Sequence, residues 1–232
     1  MALAQTVRLL KTSQLFAGLG DDVLLGIAAE TATRTYREGE VLWSAGDAPT
    51  HFTLIQAGLV EVRRATPGGE RTLMGLFGPH ESVGDFAVMD AAPYPADALA
   101  ISESLTVLRV RAAPVLVLLR DRPAVAAAMN RSLVGHMKVL RAKIDVMFAG
   151  PVETRLAVLM QHLLERFGDE GEDGKPYVPI ALSRTQLARL VGARVETVIR
   201  TVSRWQKEGW LETTADGFHL TSAEPLARII AP

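Results

Sequence analysis

Cysteine is absent from the 232 residues of this chain, which excludes a disulfide, a thiolate zinc site, a cysteine nucleophile and a cysteine-ligated iron–sulfur cluster. No window reaches the roughly 18 uncharged apolar residues of a membrane span. The first stretch, MALAQTVRLLKTSQLF, carries Arg8 and Lys11 and no apolar run of signal-peptide length, so the expected location is the cytosol, with no membrane partner. Histidine is sparse at 5 residues, and no His-x-His pair occurs; a metal-dependent cupin enzyme needs such a pair with a glutamate close behind. A glycine-rich phosphate loop, a nucleophile elbow and a metalloprotease helix are missing too. The chain is therefore expected not to be an enzyme. Net charge is also small, −1, which over the whole chain argues against a nucleic-acid partner.

What is present is ample core material, with 48% hydrophobic and 22% charged residues. That composition suits one large or two modest folded domains. Residues 8–32 are helical in pattern, interrupted at Gly18 to Gly20. From Thr33 to Arg111 the runs TRTY, EVLW, HFTLIQ, LVEVRR, RTLMGLF, DALAI and LTVLRV alternate with glycine turns, among them Gly39, Gly46, Gly58, Gly68-Gly69 and Gly78. This is the pattern of an antiparallel β-roll or sandwich, jelly-roll-like in type.

Pro123 then opens an unbroken helical stretch to Ala149, in which Leu133, Met137, Leu140, Ile144 and Met147 recur at intervals of 4, 3, 4 and 3. Such spacing serves either a seam pairing two chains or the buried side of an ordinary amphipathic helix. Asn130 and His136 sit beside it. Gly150-Pro151 ends the helix and reads as a hinge. Val152 to Phe167 is helical again, and GDEGEDGK (residues 168–175) has the composition of a solvated loop. The expected organisation is α+β: a β-roll effector domain at 1–121, a long dimerisation helix and hinge at 122–150, and a DNA-binding domain at 151–232.

Residues 183–213 carry the most information. Ser183 and Gln186 have capping-box spacing, Leu187 and Leu190 give one short helix its buried side, and Gly192-Ala193 supplies a tight turn. A second helix runs to Glu208 and closes at Gly209. Its Val198, Val202 and Trp205 form one stripe, and Glu196, Arg200, Ser203 and Lys207 form the opposite one. Residues 184–207 hold 6 cations, Arg184, Arg189, Arg194, Arg200, Arg204 and Lys207, against the single anion Glu196. The basic character is local, because residues 151–232 together carry 10 cations and 11 anions.

Cations on a helix face neutralise phosphates, and residues near the start of a recognition helix reach base edges in the major groove. Arg200 can bond both acceptors of a guanine, and Glu196 can accept from a cytosine amino group. A solvated basic face is the bland alternative. A following hairpin, Trp210 to Thr214 and Phe218 to Thr221 around Ala215-Asp216-Gly217, makes the unit a winged helix-turn-helix. A protein-binding module on this scaffold would lack the stripe that carries Glu196 and Arg200.

The whole arrangement resembles the CRP/FNR family of bacterial transcription regulators. The most specific match is Leu190-Val191-Gly192 followed by Val195-Glu196-Thr197-Val198-Ile199-Arg200, and it is closer to the FNR and nitric-oxide-regulator branches than to the cAMP binders. The resemblance implies a homodimer on a pseudo-palindromic operator in double-stranded DNA, contact with RNA polymerase, and control by a small-molecule or gas effector. It gives base reading to Glu196 and Arg200, with Val195 and Ile199 beside them. Ile199 stands where the FNR branch has serine and the CRP branch glycine, so the outer bases stay open. Phosphate contacts are expected from Arg184, Arg194, Ser203, Arg204 and Lys207.

In the effector domain, GDFAVMDAAPYPADALA starts at Gly84 in the frame of the cyclic-nucleotide cassette. Asp85 replaces the family's glutamate, and Tyr94 and Pro95 replace its arginine and serine. Without that cation a buried cyclic phosphate is uncompensated, a cost of several kcal/mol, so cAMP is not expected to bind in the usual mode. Gly84, Asp85, Phe86, Tyr94 and Pro95 are the effector-pocket candidates. The missing cysteines exclude the iron–sulfur sensor of the FNR branch. A haem-based sensor stays open, with His51, His80, His136, His162 and His219 as the histidines that could ligate it; a carbon-monoxide-sensing relative uses the positions held here by Gly84 and Phe86.

Overall fold

A computed structural model of the chain describes residues 3–13, 15–65, 71–171 and 174–231. Contacts divide it into two compact units, Met1–Val139 and Leu140–Pro232. The first opens with helices α1 (Leu3–Thr12) and α2 (Asp21–Ala29) and continues with strands β1 (Thr31–Arg37), β2 (Val41–Trp43), β3 (His51–Ala57), β4 (Val60–Ala65), β5 (Arg71–Phe77) and β6 (Ser82–Val83). Helix α3 (Asp85–Asp90), strands β7 (Asp97–Ala100) and β8 (Ser104–Arg111), and helix α4 (Ala112–Asp121) lead into the long helix α5 (Pro123–Phe148). Two antiparallel sheets result, ordered β1-β8-β3-β6 and β2-β7-β4-β5.

Alternation along β8 explains how this unit builds two cores. Leu105 and Val107 point to the cluster between the sheets, with Trp43, Ile55, Val60 and Tyr94. Leu108 and Val110 point to the opposite face, where Phe52 and Leu54 join Leu10, Phe16, Leu24, Ile27, Val115 and Val125 of the helices. A strand covered on both faces reads as a continuous apolar run, which is why LTVLRV stood out.

The second unit takes the end of α5, then α6 (Val152–Phe167), β9 (Asp169–Glu170), β10 (Pro176–Val178), α7 (Arg184–Val191), α8 (Val195–Lys207), β11 (Leu211–Thr213), β12 (Phe218–Leu220) and α9 (Glu224–Ile230). Its sheet runs β11-β12-β10-β9.

All seven expected strand runs form strands, and α5 and α6 match the expected helices closely. Three expectations need correction. The N-terminal helical segment starts earlier than residue 8 and yields to β1 at Thr31, whose whole length pairs with β8. The expected loop at 168–175 contributes β9, held against β10 through Pro176–Glu170 and Tyr177–Asp169 pairing. Helices α3, α4 and α9 were not anticipated. The turn glycines Gly68 and Gly69 lie outside the described residues.

Candidate nucleic-acid interface and effector frame

The reader unit is built by local rules. Ser183 Oγ accepts from the Gln186 amide at 3.2 Å, and the Gln186 side chain takes the Ser183 amide at 2.7 Å, a reciprocal cap that starts α7. Gly192 ends it at φ +60° and ψ +50°, in the left-handed region that glycine tolerates. In α8, Val198, Val202 and Trp205 are fully buried, and Trp205 Nε1 donates to Glu153 of α6 at 3.1 Å. Helix α8 is thus pinned by one face.

The other face is open. Glu196, Ile199, Arg200, Ser203 and Lys207 are exposed, Arg194 is exposed just ahead of the helix, and Val195 is half-buried. Among the described residues, the side chains of Glu196, Arg200, Ser203, Lys207 and Arg194 make no hydrogen bond or ion pair. The structure therefore brings the expected base-reading side chains onto one free surface, with Ile199 its apolar member, 44% exposed.

Two of the residues expected at phosphates make contacts inside the domain. Arg204 pairs with Glu153. Arg184 is partly desolvated and donates to Thr213 Oγ1 at 3.0 Å, tying α7 to β11; burial lowers its pKa. Glu153, which sequence reasoning missed, accepts from both Arg204 and Trp205. Burial works to raise its pKa, but the hydrogen bonds from those two donors and the Arg204 charge outweigh it and hold the carboxyl below its ordinary value. Nothing local in VETR signals this role, because it depends on a contact 52 positions away.

The wing forms where expected. Leu211, Glu212 and Thr213 pair with Leu220, His219 and Phe218, and the Thr214 amide donates to the Gly217 carbonyl at 2.9 Å. Glycine is required at position 217, since a Cβ there would lie 2.0 Å from the Val178 carbonyl oxygen. Tyr177 stacks on His219 with centroids 4.2 Å apart and donates to Asp216 Oδ2 at 2.7 Å. Burial, then Asp216, pushes its phenol up to about 12.

The effector-frame residues differ in exposure. Asp85 is fully buried at the start of α3 and accepts from Ser132 Oγ of α5 at 2.6 Å and from Ser82 Oγ. His136 Nε2 donates to the Ser82 carbonyl at 3.0 Å. Burial pushes the Asp85 carboxyl up, against the His136 charge and both serine hydrogen bonds. Tyr94 is buried as well, stacked on Trp43 with centroids 4.3 Å apart and planes 15° from parallel. Both rings crowd Gly84, where a Cβ would meet Tyr94 Cε1 at 2.8 Å and Trp43 Cη2 at 2.9 Å. Phe86 and Pro95 face solvent. The serines occupy one carboxylate oxygen of Asp85, and the Trp43 indole covers the phenol ring of Tyr94.

The histidines are dispersed. His51 Nδ1 meets Thr50 Oγ1 at 2.8 Å and Arg109 Nη2 at 3.1 Å; burial, Arg109 and Arg111 lower its pKa. His162 lies 3.5 Å from Asp145 and 3.4 Å from Glu165. His219 stacks in the wing, His136 holds Ser82, and His80 sits in a turn at φ +69°. Along α5, Met137, Leu140, Ile144 and Met147 are exposed, as are Val134 and Phe148, whereas Leu133 is half-buried. Among the described residues, no helix is long and apolar enough to cross a membrane.

Known proteins share this arrangement. Residues 33–122 match the cyclic nucleotide-binding domain, and residues 154–229 match the Crp-like helix-turn-helix domain. A CRP-like cAMP-activated global transcriptional regulator of Mycobacterium tuberculosis is 24% identical over 220 residues, 95% of this chain and 97% of that protein. The transcriptional activator protein anr of Pseudomonas aeruginosa is 24% identical over 196 residues, 84% of this chain and 79% of its own length. The solved structure of FixK2 from Bradyrhizobium japonicum superposes with a TM-score of 0.75 at 18% identity, covering 87% of this chain and 98% of that one. With a cyclic-nucleotide-type β-roll followed by a Crp-like reader, and regulators as its relatives, the chain belongs to the CRP/FNR family of transcription regulators.

Proposed function

We propose that this chain is a homodimeric, sequence-specific DNA-binding regulator that sets the start of α8 into the major groove of each half of a pseudo-palindromic operator. The observation that carries the reading is the exposed stripe of α8. Its acid, arginine, serine and lysine have no intramolecular partner among the described residues, while the opposite stripe is locked into the core. A lone glutamate beside free arginines is repelled by phosphate unless it accepts from a base, so Glu196 and Arg200 together favour readout of a G·C pair. Arg194, Ser203 and Lys207 are positioned to contact phosphates, and Arg184 and Arg204 act as scaffold.

The exposed apolar row on α5 supports pairing of two copies, which sets two readers about one helical turn of DNA apart. The effector is other than cAMP in its usual mode, since the cassette lacks its cation and Trp43 and Tyr94 occupy each other. Effector binding would shift the population between two reader orientations about Gly150, which requires differential affinity for the two states. Contact with RNA polymerase follows from the family's mode of action.

Selection from a random duplex pool tests the reading. The wild type should return a palindromic motif, and Arg200→Ala should relax one base pair per half-site at a cost of about 1–3 kcal/mol. Identical motifs from both proteins would refute the assigned role of Arg200.

A further inference from the structure

The C-terminal end of α7 presents more backbone acceptors than its own turn can satisfy. The amides of Gly192 and Ala193 donate back to the carbonyls of Arg189 and Ala188, at 3.4 and 2.9 Å. That leaves the carbonyls of Leu190, Val191 and Gly192 at the turn before the recognition helix. Two side chains from outside take all three. Lys143 Nζ of α5 donates to Leu190 at 2.9 Å, and Arg155 Nη1 of α6 donates to Val191 at 2.8 Å and Gly192 at 3.2 Å.

Arg155 has a second engagement. Its Nε donates to the Gly150 carbonyl at 2.9 Å, at the glycine with φ +88° where the chain leaves α5 for α6. One planar guanidinium thus holds the carbonyl at the α5–α6 junction and the two carbonyls from which α8 departs. Met147 of α5 completes the contact, since a Cβ at Gly192 would lie 3.2 Å from its Cε. Both cations face the negative end of the α7 dipole. Burial lowers the Lys143 pKa, so that ammonium depends on the carbonyl it has found.

We propose that Arg155, assisted by Lys143, is a positioning residue for base reading: it fixes the angle at which α8 leaves the turn relative to the end of α5, and so aims Glu196 and Arg200. The role rests on the DNA-reading proposal above. It differs from a phosphate contact, because the Nε and Nη1 donors that would meet DNA are committed to carbonyls. It also differs from general support of the fold, which the buried Leu156, Leu159, Met160 and Leu163 of α6 and Val198, Val202 and Trp205 of α8 supply. A guanidinium can bond three carbonyls in one plane and an ammonium cannot hold that fork, so lysine at 155 restores only part of the aim.

The test uses the full chain as R155Q, R155K and K143Q. Each variant is melted thermally, and its affinity is measured by fluorescence anisotropy across a salt series. The duplexes are the operator selected by the wild type, the same operator with its G·C pairs changed, and an unrelated sequence. The expected result for R155Q is a preserved melt, unchanged affinity and salt slope on unrelated DNA, and discrimination between the two operators reduced about tenfold, the scale of one misaimed bidentate contact. R155K should lose less, and K143Q should change discrimination in the same direction.

Undiminished discrimination in folded R155Q overturns the proposal alone. So does a fall in salt slope with weaker binding to all three duplexes, which would make Arg155 a phosphate contact. If R155Q fails to fold, R155K and K143Q decide: discrimination at the wild-type level in both overturns the role. A wild-type chain that does not discriminate overturns the DNA-reading proposal, and this one with it.

Discussion

The division of the reader's arginines into free and engaged groups makes a quantitative prediction. Among the described residues Arg194, Arg200 and Lys207 have no internal partner, whereas Arg204 is paired with Glu153 and Arg184 with Thr213. Counterion release gives a slope of about −0.9 in log affinity against log salt per phosphate neutralised. Three free cations on each of two protomers therefore predict a slope of about −5. Counting Arg184 and Arg204 as well would make it about −9, a difference of roughly two decades in affinity between 50 and 200 mM salt. Lys207→Ala should lower the dimer's slope by about 2 and weaken binding to every duplex alike.

Arg204→Ala should leave the slope unchanged and act on stability instead. Its side chain is 49% exposed and that of Glu153 33%, so solvent screens the pair and its loss should cost about 1 kcal/mol or less. The sign with pH follows from the Glu153 carboxyl being held below its ordinary value. The pair stabilises the fold above the ordinary glutamate pKa, and that contribution is lost as pH falls through the lower folded value. Wild-type and Arg204→Ala melting temperatures should accordingly converge in acid. Anisotropy over a salt series, with parallel melts, checks both halves. An Arg204→Ala protein with an unchanged melt and a slope as shallow as that of Lys207→Ala would refute the assignment of Arg204 to the scaffold.

Other outcomes are expected from the same structure. Leu140→Glu, on the exposed row of α5, should shift the sedimenting species from dimer toward monomer, and an unchanged dimer mass would remove that row from the interface. Asp85→Asn should retain an acceptor for Ser82 and Ser132 while removing a carboxyl whose folded pKa is raised by burial. The wild type's advantage then exists at low pH and is lost as pH rises through the folded value. The melting temperature of Asp85→Asn relative to wild type should therefore climb as pH rises above the ordinary aspartate range, with His136 of α5 the charged group facing Asp85; a flat or falling difference refutes this. Calorimetric addition of cAMP to the dimer should give no heat of binding at micromolar ligand, and a saturable signal there would show that Trp43 and Tyr94 part to admit it.

Elements whose residues obey local rules were legible in the sequence. Strand β8 announced itself because both faces are buried, the α7 cap because Ser183 and Gln186 satisfy each other three residues apart, and the wing because Asp-Gly between two short apolar runs favours a hairpin turn. Helix α3 was hidden inside the cassette frame. It spans Asp85–Asp90, and its start depends on Gly84 at φ +80° rather than on a capping side chain. β9 is too short to show periodicity.

What could not be read was the state of each site residue, because that is decided by partners distant in sequence. In the string, Arg200 and Arg204 are equivalent cations one turn apart. Glu153, far upstream, pairs with Arg204, while Arg200 has no partner among the described residues. Asp85 likewise looks like a ligand-facing acid until Ser132, 47 positions on, closes over it. Charge follows the same logic. A chain of net charge −1 can carry a reader of nucleic acid because the field at a phosphate is set within about a Debye length of 8–10 Å. On the proposed function, the cations that the fold leaves unpaired within that distance of the α8 surface set its affinity for phosphates.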